Sequence, residues 1–305
     1  SHSITQIMEA LLTPESCFDG IKDFPYQPNY VDYDGLKMHY IDEGDQQNDE
    51  IILAIHGEPT WSYLYRKFVP VLAPKYRFIA PDLLGFGKSS KPVNMKDYTY
   101  TFHYNSIKNL IEKLQLKNIT LVVQDWGGLI GLGVLGEFPE LFKRVVILNT
   151  ALADGRKLPL SFKAWQAFAK YHPNLPVGGI VRKACARPVS PEVVAAYDAP
   201  FPEKKYKAGA MIFPSLAPND YKADGVIQMN RAAEVLKTWT KPAIILFSDK
   251  DEILGKMVHF FYKIVPAAHQ QKRITIENAG HFLQEDAGEE IATYIDEFIQ
   301  EKLKL

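Results

Sequence analysis

Apolar residues fall along this chain in two rhythms. Residues 51–55, 78–80, 119–123 and 145–148 are apolar runs without alternation. A further run at 243–247 follows a long gap, and 274–276 comes after it. Strands apolar on both faces belong to parallel sheets covered by helices. Between the runs the spacing changes to that of a helix, as at Ile107, Leu110, Ile111 and Leu114, and again at Ile291, Ile295, Phe298 and Ile299. Near the start, Asp34-Gly35 separates the runs 30–33 and 37–41, a tight hairpin signal. The pattern predicts an α/β fold, with a mostly parallel central sheet flanked by helices and an antiparallel N-terminal edge. The long gap, 155–228, holds nine of the 20 prolines and no strand run. Proline at that density permits only short helices. A helical cap domain is therefore expected at 155–228, inserted into a core domain made of 1–154 and 229–305. No internal repeat or low-complexity segment interrupts this reading.

Composition narrows the functional classes. The 305 residues are 47% hydrophobic and 23% charged, and the 17 Phe and 16 Tyr need a core to occupy. Lys and Arg number 35 against 36 Asp and Glu, a net charge of -1. That balance supplies no field to gather phosphate backbones or anionic lipid, so neither nucleic acid nor membrane is an expected partner. No apolar run approaches the roughly 20 residues that cross a bilayer. Cys17 and Cys185 are too few for a disulfide scaffold and lack metal-ligand spacing, so no metal is expected and a reducing cytoplasm fits. The start, Ser1-His2, reads as a processing or expression scar, with no signal peptide following it.

Two motifs suggest a nucleotide and fail. Gly131 to Gly136 matches GxGxxG, but it lies inside a helical segment, whereas a dinucleotide loop sits at the strand-to-helix turn. Gly87-Lys88-Ser89 resembles the end of a phosphate loop, yet the position five residues before Gly87 is Asp82 instead of glycine. Close helix packing explains the first better, and no cofactor is expected.

The chemistry lies elsewhere. In 119–128 a strand runs into Gln124-Asp125-Trp126-Gly127-Gly128, the layout of a nucleophile elbow with Asp125 where serine is usual. Taken alone, Asp125 as a helix N-cap explains this stretch about as well. Partners shift the balance. His281 follows the last strand run, where loops at the carboxyl ends of strands form the ligand crevice of open α/β sheets. Asp249 and Asp251 end the 243–247 run, and either could orient the imidazole. The chain order nucleophile, acid, histidine is that of an α/β-hydrolase. Glu58, after His56-Gly57, stands where that fold supplies one oxyanion-hole N–H, and Trp126 supplies the other.

A carboxylate nucleophile attacks a saturated carbon bearing a leaving group and forms an alkyl ester, which water then hydrolyses. Carbon–halogen bonds and epoxides both suit this. An epoxide oxygen needs an acid such as paired tyrosines, for which Tyr171, Tyr197, Tyr206 and Tyr221 are candidates. A halide needs N–H donors in a dry pocket, and Trp126 offers one. A non-catalytic α/β-hydrolase relative that only binds is the reading from another class; the presence of a nucleophile, an acid and a histidine counts against it.

Four blocks carry a family resemblance: His56-Gly-Glu-Pro-Thr-Trp-Ser-Tyr-Leu-Tyr-Arg66, Asp82-Leu-Leu-Gly-Phe-Gly-Lys-Ser-Ser90, Gln124-Asp-Trp-Gly-Gly128 and Ala279-Gly-His-Phe-Leu-Gln284. Together they resemble the haloalkane dehalogenases across essentially the whole chain. The resemblance implies Asp125 as nucleophile, His281 as base, Trp126 as first halide donor, a halogenated alkane as substrate and a halide ion as product. One branch of that family has Asn after His-Gly and a Glu acid after the sixth strand; this chain has Glu58 and Asn149 there instead. It resembles the other branch, which implies Asp251 as the acid and a cap tryptophan, Trp165, as second halide donor. Without the resemblance, Trp165 reads equally as a core aromatic beside Phe162 and Ala169. Phe162, Phe213, Pro214 and Leu254 are then expected to line an apolar pocket, and a monomer is expected.

Overall fold

A computed structural model of the chain describes residues 8–305, and the Ser1-His2 start lies outside them. After a short strand β1 (Ala10–Leu11) comes the expected hairpin, β2 (Asn29–Tyr33) and β3 (Leu36–Glu43). Its turn residues Asp34 and Gly35 have φ of 48° and 83°, the pair of left-handed residues that a type I′ turn requires. Strands and helices then alternate: β4 (Ile51–Ile55), α1 (Val69–Leu72), β5 (Arg77–Pro81), β6 (Lys91–Pro92), α2 (Tyr100–Lys113), β7 (Ile119–Val123), α3 (Trp126–Glu137) and β8 (Phe142–Ile147). The inserted stretch carries α4 (Leu160–Tyr171), α5 (Val177–Lys183), α6 (Pro191–Asp198) and α7 (Ala208–Ile212). The chain returns through α8 (Val226–Lys237), β9 (Ala243–Ser248), α9 (Met257–Ile264), β10 (Ile274–Ile276) and α10 (Leu283–Ile299).

Eight strands form one sheet in the order β10-β9-β8-β7-β4-β5-β3-β2. Pairing is parallel from β10 through β5 and antiparallel at β3 and β2. The apolar runs explain it: alternate residues of one strand serve different layers. Leu53, Ile55, Leu121 and Val123 pack with Leu110, Leu132 and Leu236 on one face. Ile52, Ala54 and Val122 pack with Leu72, Ile291 and Phe298 on the other.

The chain leaves β4 toward β5 on one side and later adds β7 on the other, which makes the β4–β7 junction a switch point in strand order. Ligand crevices in open sheets form there. β4 and β7 pair along their whole length, ending with Ile55 beside Val123. The loops that begin at His56 and Gln124 therefore start at one level.

Helix α8 begins at Val226, so the expected boundary at 228 falls inside a helix. Val226, Met229, Ala232 and Leu236 are its buried face. Ala232 approaches Gly136 so closely that a Cβ there would lie 2.8 Å from the Ala232 Cα. That contact ties α8 to the sheet layer, and the insert ends before it. The glycines of 131–136 lie within α3 and serve helix packing of this kind. Among the described residues, no helix is long and apolar enough to cross a membrane.

Candidate active site

β7 ends at Val123, and the backbone turns sharply at Asp125, with φ 54° and ψ -136°. A non-glycine residue there costs on the order of 1–3 kcal/mol, so its neighbours must hold it. They do: the Asp125 N–H donates to the Asn149 carbonyl at 2.7 Å, and the Thr150 hydroxyl donates to the Asp125 carbonyl at 2.6 Å. A Cβ at Gly127 would meet the β4 backbone, and one at Gly128 the Thr150 side chain, so the elbow needs both glycines. The Asp125 side chain makes no capping bond to α3, which removes the N-cap explanation and leaves the carboxylate aimed elsewhere.

It meets His281. His281 Nε2 lies 2.8 Å from Asp125 Oδ1, and its Nδ1 lies 2.8 Å from Asp251 Oδ2. The same Asp251 oxygen accepts from Asn149 Nδ2 at 2.8 Å, while Oδ1 accepts from the Ile253 and Leu254 amides at 2.8 and 3.1 Å. Asp249 is exposed and accepts from the Ala279 amide at 3.2 Å. Of the two carboxylates after β9, Asp251 is the one that reaches the imidazole.

Burial opposes charge on both groups, and each overcomes it through the other. Asp251 is held down at about 2 by His281 and the Asn149 and Leu254 donors. His281 is pushed up to about 10 by Asp251 and Asp125. The linkage signs follow. Asp251 contributes stability above its ordinary 3.8, lost as pH falls through about 2; His281 contributes below its ordinary 6.5, lost as pH rises through about 10. The Tm gap between the native chain and Asp251→Asn is therefore expected to be widest between pH 4 and 6.5. It should close toward pH 2 and pH 10. A gap that stays constant from pH 2 to 10 would contradict this coupling.

The other carboxylate oxygen, Asp125 Oδ2, accepts the Glu58 backbone N–H at 2.9 Å. A Cβ on Gly57 would lie 2.6 Å from the Trp126 amide nitrogen and would collide with Oδ2. The Glu58 N–H thus bonds the Asp125 carboxylate, and the Trp126 amide nitrogen lies close by, beside Gly57. The Glu58 side chain is buried, and neither of its carboxyl oxygens has a protein partner among the described residues. Burial, reinforced by the Asp125 charge, drives its proton affinity well above the usual carboxylate range. Its protonated form is thereby favoured beside Asp125, where a second negative charge would add to the first.

The tryptophans divide into two pairs. Trp61 donates its indole N–H to the Ala196 carbonyl at 3.1 Å, and Trp239 to the Pro242 carbonyl at 3.5 Å. The indole N–H groups of Trp126 and Trp165 make no hydrogen bond among the described residues. Trp126 is buried and stacks on Phe213 at 4.7 Å. Trp165 is half-buried on α4 and stacks on Phe168. Its neighbour Gln166 donates to the Pro214 carbonyl at 2.8 Å, joining α4 to the Phe213-Pro214 turn. Phe213 and Pro214 are buried, whereas Phe162 and Leu254 are half-buried.

The four tyrosines of the epoxide alternative do not gather here. Tyr171 and Tyr221 are 72% and 73% exposed, and the Tyr197 hydroxyl donates to Glu285 at 2.7 Å. Tyr206 is buried in the core.

Two contributors escaped the sequence pattern. Asn149 joins the site's ends, its carbonyl holding Asp125 and its amide holding Asp251 and the Ser248 hydroxyl. His103 is buried with neither ring nitrogen partnered among the described residues, is held down at about 3 by burial, and stacks on Phe213 at 4.7 Å. Among the described residues, no group of His, Cys, Asp or Glu is arranged to hold a metal.

Comparison with known proteins gives the family. The α/β-hydrolase fold family matches residues 50–288. A haloalkane dehalogenase of Psychrobacter cryohalolentis is 44% identical over 96% of this chain and 99% of its own. One of Mycobacterium marinum is 45% identical over 94% and 99%. The solved structure of a tetrameric haloalkane dehalogenase from Paraglaciecola agarilytica superposes with a TM-score of 0.88 at 41% identity, covering 94% of this chain and 97% of that one. With an aspartate at the elbow, a histidine and second aspartate behind it, and relatives of this closeness along its whole length, the chain belongs to the haloalkane dehalogenases, hydrolases of carbon–halogen bonds built on the α/β-hydrolase fold.

Proposed function

We propose that Asp125, His281 and Asp251 carry this hydrolysis in two steps. Asp125 attacks the halogen-bearing carbon from the back; the carbon–halogen bond breaks, halide leaves with the electron pair, and a neutral alkyl ester remains on Asp125. Trp126 and Trp165 donate to the departing halide; what supports them is that their N–H groups are unengaged, unlike those of Trp61 and Trp239. Ester formation also removes one of the two negative charges that hold the proton on His281. The imidazole releases that proton and becomes a base for water. Water adds to the ester carbonyl, whose oxygen takes the place of Oδ2 beside the Glu58 and Trp126 amides. Collapse frees the alcohol and restores the carboxylate; the sum is one alcohol, one halide and one proton. Phe162, Phe213, Pro214 and Leu254 are proposed to wall the alkyl group.

The observation that carries this reading is the carboxylate of Asp125, held at a strained elbow between an oxyanion-type N–H and a histidine. Every group named belongs to one chain, so the reaction as proposed needs only a monomer. Its test is bromide release with acidification from 1,2-dibromoethane and 1-bromobutane. Folded protein that releases bromide from neither would refute it.

Trp165→Phe is expected to weaken halide binding about 10-fold or more, the loss of one hydrogen bond to an anion, about 1.5–3 kcal/mol. Halide quenching of tryptophan fluorescence measures it, with circular dichroism as the check on folding. Unchanged affinity would remove Trp165 from the halide site.

A further inference from the structure

The imidazole of His281 is fixed by Asp251, but its backbone sits in a loop, and what holds that loop is unusual. The His281 N–H donates at 2.9 Å to the carbonyl of Ala184, a residue of the insert just beyond α5. A Cβ on the preceding Gly280 would strike the same Ala184 oxygen, so insert and loop touch backbone to backbone. Beside them lies Asp286, buried in the first turn of α10. Its Oδ2 accepts the N–H of Gly280 and that of Ala186, both at 2.8 Å, and its Oδ1 accepts that of Arg187 at 2.8 Å. One carboxylate thus binds three backbone donors, one adjoining the histidine and two from the insert.

An acid early in a helix suits the helix dipole, and a buried carboxylate that staples two loops could serve stability alone. Its neighbour Glu285 shows what a plain staple looks like. Glu285 accepts a two-pronged bond from Arg66, 2.7 Å on each side, and one at 2.7 Å from Tyr197 on α6. Its side chain anchors the insert to the sheet layer and bonds no residue of the His281 loop. Asp286 differs because its partners lie on both sides of the junction between insert and base.

We infer that Asp286 is a positioning residue that transmits the seating of insert residues 184–187 to His281. The inference rests on His281 acting as the base for ester hydrolysis. Attack by Asp125 on the carbon needs no base, whereas hydrolysis needs the imidazole aligned with water and the ester carbonyl, and an error of about 1 Å in such a group can cost about 100-fold. Loosening Asp286 should therefore divide the two steps.

The test is Asp286→Asn, nearly the same size but with an amide N–H₂ facing backbone donors. With 1,2-dibromoethane, rapid-quench bromide release reads the first step and alcohol formation the second. Bromide release in the first turnover is expected within about twofold of native, and ester hydrolysis at least tenfold slower. The alkyl-enzyme should then accumulate as a mass adduct during turnover. Tyr197→Phe, which cuts the neighbouring staple, is expected to lower Tm with no adduct. Ala186→Pro removes one donor while keeping Asp286, and should reproduce the adduct even if Asp286→Asn does not fold. Equal slowing of both steps, native hydrolysis in Asp286→Asn or Ala186→Pro, or the same adduct in Tyr197→Phe would overturn the inference. If His281→Gln forms no ester, the assignment of His281 as base for ester hydrolysis fails instead.

Discussion

Asp125→Asn is expected to lower bromide release from 1,2-dibromoethane by at least about 10⁴-fold, the scale of losing an enzyme's nucleophile. The amide is neutral and its nitrogen lone pair is delocalised, so it cannot displace halide. The fold should tolerate the change. Asn is, like Asp, over-represented among non-glycine residues at positive φ, its backbone bonds to Asn149 and Thr150 remain, and its carbonyl oxygen can still accept the Glu58 N–H. A native circular-dichroism spectrum, a Tm lowered only by loss of the Asp125 charge beside His281, and no bromide release are the expected readings. Because an amide can deamidate to the acid, freshly prepared protein is required. Native activity in such a sample would exclude Asp125 as the nucleophile.

His281→Gln should do something different: stop the reaction halfway. Asp125 keeps its charge and its Glu58 N–H, so the ester forms and one equivalent of bromide appears. Turnover then falls by about 10²–10⁴-fold, the range for losing a general base. Intact-protein mass spectrometry should show the chain plus one alkyl group. A variant with neither turnover nor adduct would mean that the imidazole is needed before the ester exists.

Much of this architecture was legible before any coordinates. Uninterrupted apolar runs specify strands buried on both faces, and Asp34-Gly35 specifies a hairpin, because both depend on neighbouring residues alone. A sharp strand-to-helix turn at Asp125 was visible for the same reason, one strand, one acid and two glycines in a row, though these neighbours alone suited an N-cap equally. Asp251 against Asp249 was not a local matter. Both follow β9, and the choice is made by a turn in which Asp251 takes the Ile253 and Leu254 amides. The bonds of Asn149 were not legible, since its partners Ser248 and Asp251 lie 99 and 102 positions away. The burial of Glu58 and the three donors on Asp286 are likewise products of the assembled fold. Residue 228, the expected limit of the insert, falls within a helix for a related reason. Proline density marks where long helices cannot form, but α8 is assigned by what its apolar face meets, namely α3.

The proposed site draws on two parts of the chain. Asp125, Trp126, His281 and Asp251 stand on the sheet's own loops, whereas Trp165, Phe162, Phe213 and Pro214 come with the insert. A lineage could exchange the second set, and with it the range of acceptable substrates, while the bond-making machinery stayed unaltered. The Asp286 contacts restrict that freedom. A transplanted roof would have to bring backbone amides to the stations of Ala186 and Arg187, or arrive with the chemistry below it misaligned.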